Sequence, residues 1–196
     1  MKDPYVYPHT NILKNLANIQ DEKELSCMEA EYTSVRLAEL VTKEFASRFD
    51  FAALCDVHYY IFQDVYEWAG KVRVINIEKS EPALGGISIE YSDCFDIEKD
   101  TKIILDRMEH CIWDKISIEE AAVTFSRYLA ELWKVHPYRE GNTRTVITFC
   151  SQFIESKGLY IDSDLFKDNA QYVRTALVAA SATFSDLGDK IGRAHV

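Results

Sequence analysis

The densest run of reactive side chains is Val135–His136–Pro137–Tyr138–Arg139–Glu140–Gly141–Asn142–Thr143–Arg144. His136 closes one helical pattern and Pro137 turns the chain there. Gly141 and Asn142 open the next pattern, so the unpaired N–H groups of that helix and its positive end face the same loop, a ready anion site. Glu140 is an oxygen ligand suited to Mg²⁺, which takes one or two carboxylates together with substrate phosphates. Arg139 and Arg144 offer planar donors to phosphate oxygens. A histidine beside a polyphosphate can deprotonate an incoming hydroxyl, an effect of about 10²–10⁴ in rate. Together the residues imply transfer from a nucleotide to an alcohol. Singly each has a plain reading, since a histidine at a helix end is commonly structural and loop Arg and Glu are commonly solvated. Zinc is disfavoured, because no second His or Cys lies nearby and H-x-x-x-E is not H-E-x-x-H.

The elements that must hold this loop are helical. Proline occurs four times in 196 residues and glycine seven times, leaving long stretches without a breaker. Glu22 to Arg48 reads as one amphipathic helix with Leu25, Met28, Tyr32, Val35, Leu37, Leu40 and Val41 inward. Asp50 caps a second, with Phe51, Leu54, Val57, Tyr60 and Ile61 inward. Alternation in Gly70–Ile77 and in Ile87–Tyr91, around Pro82 and Gly85–Gly86, predicts a single β-hairpin with a long loop. Helical spacing resumes at Phe95, Ile97, Ile103, Ile104 and Met108. Ser117 and Glu120 form a capping box. The helix they open buries Ile118, Ala121, Ala122, Phe125, Leu129, Leu132 and Val135 and stops at Pro137. The next buries Val146, Ile147, Cys150, Phe153 and Ile154 and ends at Gly158. Asp162 to Lys190 reads as one or two alanine-rich helices. No repeat or linker divides residues 1–196, which read as one mostly-α domain.

Composition narrows the partners. Twenty-two basic against thirty-two acidic residues give a net charge of −10, unsuited to an extended nucleic acid or an anionic membrane surface. Locally the sign reverses. Residues 134–145 carry three basic residues against one acidic, a net of +2, and residues 70–80 do the same. One bound nucleotide is compatible with that pattern. Five widely spaced cysteines without C-x-x-C, and no opening secretion signal, point to a reduced cytoplasmic protein whose cysteines are small buried hydrophobes.

His136-Pro137-Tyr138-Arg139-Glu140-Gly141-Asn142-Thr143-Arg144 closely resembles the Fic family motif H-P-F-x-(D/E)-G-N-(G/K)-R. Asp3–Pro4–Tyr5–Val6–Tyr7–Pro8 and Asp64–Val65–Tyr66–Glu67–Trp68–Ala69–Gly70–Lys71–Val72–Arg73 resemble flanking stretches of the family's cell filamentation branch. The resemblance runs to about residue 157 and implies a helical domain with a β-hairpin flap. It implies AMP transfer from ATP to a Ser, Thr or Tyr hydroxyl of a target protein. By position His136 is the general base and Glu140 the Mg²⁺ ligand. Gly141, Asn142 and the Thr143 amide form the anion hole, Arg144 holds the outer phosphates, and Arg139 lies at the rim. The flap, about 72–91, docks the target by strand addition, with Lys79 and Ser80 near the nucleotide.

Two positions depart from the motif. Tyr138 replaces Phe and needs a hydroxyl partner if buried. Thr143 replaces Gly or Lys. It either sits as an ordinary first-turn residue, obstructs the phosphates, or donates its hydroxyl to one. If it obstructs, the chain is a regulatory binding module; transfer of another phosphate-containing group, or phosphorylation, is the third reading. Many relatives are inhibited by a helix carrying (S/T)-x-x-x-E-(G/N), whose Glu pairs with the second motif Arg. Ser151–Glu155 and Ser185–Asp189 do not fit that pattern. The resemblance therefore implies inhibition in trans by a small antitoxin. The alanine-rich faces are compatible with a homodimer and equally with core.

Overall fold

The computed structural model describes residues 3–41 and 48–193. Its helices are α1 (Glu22–Val41), α2 (Phe51–Phe62), α3 (Ile97–Glu109), α4 (Ile118–Val135), α5 (Asn142–Ser156), α6 (Ser163–Asp168) and α7 (Ala170–Arg193). None is long and apolar enough to cross a membrane among the described residues.

The caps expected from sequence form. Asp50 accepts from the Ala53 N–H at 3.0 Å, and Ser117 and Glu120 bond reciprocally at the head of α4. Each such cap is worth about 0.5–2 kcal/mol. α5 is the central helix. It packs on α2 and α4, while α4 also carries α3 and α7. Phe62, Trp133, Tyr138, Phe149 and Phe153 fill the space between them and are fully buried. Arrays of this kind set backbone positions closely, because interiors are packed to crystal density.

α1 departs from its expected face. Leu25, Thr33 and Leu40 are buried, whereas Tyr32, Val35 and Val41 are exposed. Polar clamps also hold this helix. Arg36 pairs with Asp64 at 2.7 Å, and the Tyr60 hydroxyl donates to Glu39 at 2.6 Å. The expected continuation to Arg48 crosses residues 42–47, which lie outside the described ones. Phe95, Ile118 and Ala122 also face solvent.

The expected hairpin is the main correction. No strand occurs among the described residues; the sole ladder contact is an isolated bridge between Val6 and Leu13. The flap is two extended limbs joined by a 3-10 turn at Pro82–Leu84. Its limb-to-limb backbone bonds lie at that turn, Glu81 N–H to Ile87 O and Gly86 N–H to Glu81 O. Elsewhere side chains take groups that a ladder would use. Ser88 Oγ accepts the Lys79 N–H at 3.0 Å, and Asn76 Oδ1 accepts the Cys94 N–H at 2.8 Å. All five cysteines are free, but only Cys150 is fully buried and Cys27 is exposed.

Candidate active site

The motif loop joins the end of α4 to the start of α5, and its geometry follows from two left-handed residues. His136 ends α4 at φ 51°, and Gly141 precedes α5 at φ 83°. Only glycine fits the second position, since a Cβ there would stand 2.2 Å from Phe62 Cζ. Asn142 closes the loop on itself. Its Oδ1 accepts the Tyr138 N–H at 2.8 Å and its Nδ2 donates to the Tyr138 carbonyl at 2.7 Å. The Asn142 side chain is thus committed to the loop, leaving its backbone N–H for the anion site. Tyr138 is fully buried with its hydroxyl on the Leu54 carbonyl at 3.1 Å, which supplies the partner that Phe would not need.

Gly141 makes no side-chain cap, and the first N–H to reach a helical carbonyl is that of Thr145, on Gly141 O. The amides of residues 142–144 therefore head α5 in the manner of an anion site. Thr143 Oγ1 accepts the Trp133 indole N–H at 2.9 Å. The hydroxyl proton stays available for donation, and the residue sits as an ordinary first-turn threonine.

His136 is buried, and neither of its ring nitrogens has a hydrogen-bond partner. Burial, reinforced by the positive charges of Lys79, Arg73 and Arg174, pulls its pKa well below 6.5. The ring is neutral at physiological pH and can accept a proton. Glu140 lies at the mouth of the loop with Oε2 3.2 Å from Lys79 Nζ and Oε1 accepting the Gly141 N–H at 3.0 Å. Burial alone would raise its pKa, but Lys79 and the Gly141 N–H outweigh burial and hold the group below the usual carboxylate range.

The remaining predicted residues divide. Lys79 reaches the loop, while Ser80 turns away, its hydroxyl donating to the Gly86 carbonyl within the flap at 3.2 Å. Arg139 is held by Asp3 at 2.9 Å, so the N-terminal Asp3–Pro4–Tyr5 stretch packs beside the motif. Arg144 bonds Thr33 Oγ1 at 3.0 Å and Glu29 Oε1 at 2.5 Å, both on α1, with its guanidinium 4.7 Å above the Phe62 ring.

Three long-range supports carry no signal in the motif. His58 Nδ1 accepts the Gly70 N–H at 2.8 Å, which leaves Nε2 to donate to the Glu140 carbonyl at 3.1 Å. It is buried and stacked on Tyr138 at 3.7 Å, and burial, which disfavours its charged form, pulls its pKa down to about 3. Arg73 is buried and donates to the carbonyls of His136 at 2.9 Å, Ile75 at 2.8 Å and Ser92, and to Asn76 Oδ1 at 3.3 Å. It ties both flap limbs to the end of α4. Glu29 has no Ser or Thr four residues before it; the hydroxyl beside it is Thr33, one turn later. Of the two Ser/acid pairs noted in sequence, Ser151 is buried with Glu155 exposed, and the side chains of Ser185 and Asp189 lie outside the described ones.

Residues 48–154 match the model of the Fic/DOC family. The chain is 32% identical over 162 residues to Protein adenylyltransferase VbhT of Bartonella schoenbuchensis, covering 83% of this chain and 33% of that protein. It is 33% identical over 166 residues to Probable protein adenylyltransferase y4lH of Sinorhizobium fredii, covering 83% of this chain and 80% of that protein. The chain thus spans a third of the first relative and most of the second. Among solved structures, the N-terminal Fic domain of a VirB-translocated Bep effector protein from Bartonella quintana superposes with TM-score 0.72 at 21% identity, over 96% of this chain and 97% of that one. BepC from Bartonella tribocorum, with bound AMPPNP, gives TM-score 0.72 at 19% identity over 91% and 94%. With motif loop, helical frame and relatives in agreement, the chain belongs to the Fic/DOC family.

Proposed function

We propose that the chain is a protein adenylyltransferase, moving AMP from ATP to a Ser, Thr or Tyr hydroxyl of a target protein. The observation that carries this reading is the buried, neutral His136 with both ring nitrogens unpaired, in the loop that leads into the uncapped start of α5. Relatives named protein adenylyltransferase support it.

In this reading one ring nitrogen of His136 takes the proton of the incoming hydroxyl. The hydroxyl oxygen bonds to the α-phosphorus, the bond from that phosphorus to the bridging oxygen breaks, and pyrophosphate leaves with the electron pair. The amides of residues 142–144 receive phosphate oxygens, with the Thr143 hydroxyl beside them, and Arg144 takes the outer phosphates once free of Glu29. The protein offers Mg²⁺ one carboxylate, Glu140, and no group of three or more acidic, His or Cys ligands occurs among the described residues. That suits an ion arriving with nucleotide phosphates. Bound by Glu140 and those phosphates, Mg²⁺ would neutralise charge developing on them. Lys79, now on Glu140, would pass to a phosphate.

The target would dock on the flap, whose limbs expose Val74 and Ile87. The chain would act as the toxin-like half of a pair, held off by a small inhibitor in trans. Co-purification with the product of the neighbouring small open reading frame, and loss of transfer in that complex, are the expected outcomes; failure to bind removes the inhibitor from the reading.

The test of the reaction is incubation with α- and γ-labelled ATP, Mg²⁺ and cell lysate. Protein labelled from α and not from γ is the expected result, abolished by His136→Ala. Label from γ alone would make the chain a kinase, and no label would make it a binding module.

A further inference from the structure

A histidine base is commonly oriented through its second nitrogen, which donates to a carboxylate or carbonyl. His136 has no such bond at either nitrogen. Two rings stand in for it. Tyr91 lies on the imidazole with centroids 4.1 Å apart and planes at 28°, and Trp133 meets the ring edge-on at 5.3 Å and 88°. Trp133 is fixed, being buried within α4 with its indole N–H on Thr143. Tyr91 comes from the flap, which has no ladder to hold it.

Its anchor is at the far end of the side chain. The Tyr91 hydroxyl donates to Glu81 Oε1 at 3.2 Å, and the same oxygen accepts from Arg174 Nη2 of α7 at 2.8 Å. The Glu81 side chain is 2% exposed. A pair whose carboxylate is buried and whose cation is partly exposed is a poor source of net stability, because desolvation of the carboxylate offsets much of the attraction; the better attested use of such a pair is to select one geometry. Here the geometry selected is the plane of Tyr91. α7 packs on both α4 and the Pro82–Leu84 turn, so the anchoring cation is carried by an element that also contacts the helix bearing His136.

We propose that Tyr91 is a positioning residue for His136, its ring setting the rotation of the imidazole and its hydroxyl pinned by the Glu81–Arg174 pair of flap and α7. The inference rests on His136 being the base. The base is then oriented by stacking rather than by a hydrogen bond, and α7 takes part in that orientation.

The experiment uses the full chain labelled with ¹³C-histidine, the His136 ring resonance being identified by its absence in His136→Ala. The wild-type ring proton should lie upfield under the Tyr91 ring current. Tyr91→Leu should move it downfield and lower the rate of AMP transfer from α-labelled ATP about 100-fold, the scale of a misplaced catalytic group, with the ATP half-saturation unchanged. Tyr91→Phe, which keeps the ring but loses the Glu81 anchor, should return the resonance only part of the way upfield and recover part of the rate lost in Tyr91→Leu. Arg174→Met, at a partly exposed position, should shift the resonance in the same direction as Tyr91→Leu. An unmoved resonance in Tyr91→Leu, or in Arg174→Met if the leucine variant does not fold, overturns the proposal. Wild-type rate in Tyr91→Leu with His136→Ala inactive also overturns it while leaving the transferase reading intact. Continued transfer by His136→Ala would instead remove the base assignment.

Discussion

The Glu29 carboxylate on α1 meets the Arg144 guanidinium of α5 at 2.5 Å. Thr33, one turn along α1, takes a second nitrogen of the same guanidinium, and Tyr66 donates to the other Glu29 oxygen. If Arg144 takes the outer phosphates as proposed, a nucleotide phosphate would compete with this carboxylate for it. Hydrogen bonds to charged groups contribute about 1.5–3 kcal/mol. Glu29→Gln should tighten Mg–ATP binding by about tenfold or more, measured by titration calorimetry. Unchanged or weaker binding would show that Arg144 is not a phosphate contact.

Gly141 meets two constraints at once, a φ of 83° and a Phe62 ring atom 2.2 Å from any Cβ. Gly141→Ala should cost about 1–2 kcal/mol in left-handed backbone alone and about 1–3 kcal/mol more from overpacking. Urea unfolding should report the loss, and ATP binding should fall with it. Adding Phe62→Leu relieves the clash and should recover part of the stability, not the backbone component.

Thr143 is expected to be structural as well as functional, since its oxygen satisfies the Trp133 indole. Thr143→Val leaves that buried N–H unpaired and should destabilise by about 1–3 kcal/mol. Thr143→Ser keeps the acceptor and should lie close to wild type in urea unfolding. Equal stability of the two variants would mean that the indole bond contributes nothing.

Stability should decline in acid through the buried histidines. The folded-state pKa of His58 lies at about 3 against 6.5, and that of His136 shifts in the same direction. The unfolded chain then binds more protons below 6.5, so the contribution is present above that value and is lost as pH falls toward the folded pKa. The slope approaches about 1.4 kcal/mol per pH unit for each histidine. Urea midpoints between about pH 7 and 4.5 should show it. His58→Gln should remove one histidine's share.

Local chemistry was legible in the residues. Asp50, Ser117 and Glu120 cap the helices expected of them because a cap needs only neighbours within four positions. His136, Glu140, Gly141 and Arg144 come together because one loop carries them all. The supports were not legible. Asp3 reaches Arg139 and Glu29 reaches Arg144 across more than a hundred positions, and His58 finds Glu140 eighty-two positions away. Those pairings are set by tertiary packing. Alternation in the flap read as strands, but Ser88, Asn76 and Arg73 occupy backbone groups that a ladder would need. The inward face of α1 departs from its apolar spacing where Thr33 and Glu29, rather than Tyr32 and Val35, turn toward α5.

The Arg73 clamp has a genetic corollary. Four of its five acceptors are main-chain carbonyls, at Ile75, Ser92, Val135 and His136, and a carbonyl persists whatever side chain its residue bears. Substitutions at Ile75 and Ser92 leave the acceptor in place, so the root of the flap has room to drift in sequence. The fragility of this clamp is gathered at residue 73, where one change removes all of these side-chain bonds at once. Variation in the limbs that spares Arg73, Glu81 and Tyr91 can accumulate without disturbing the contacts on the His136 carbonyl and ring.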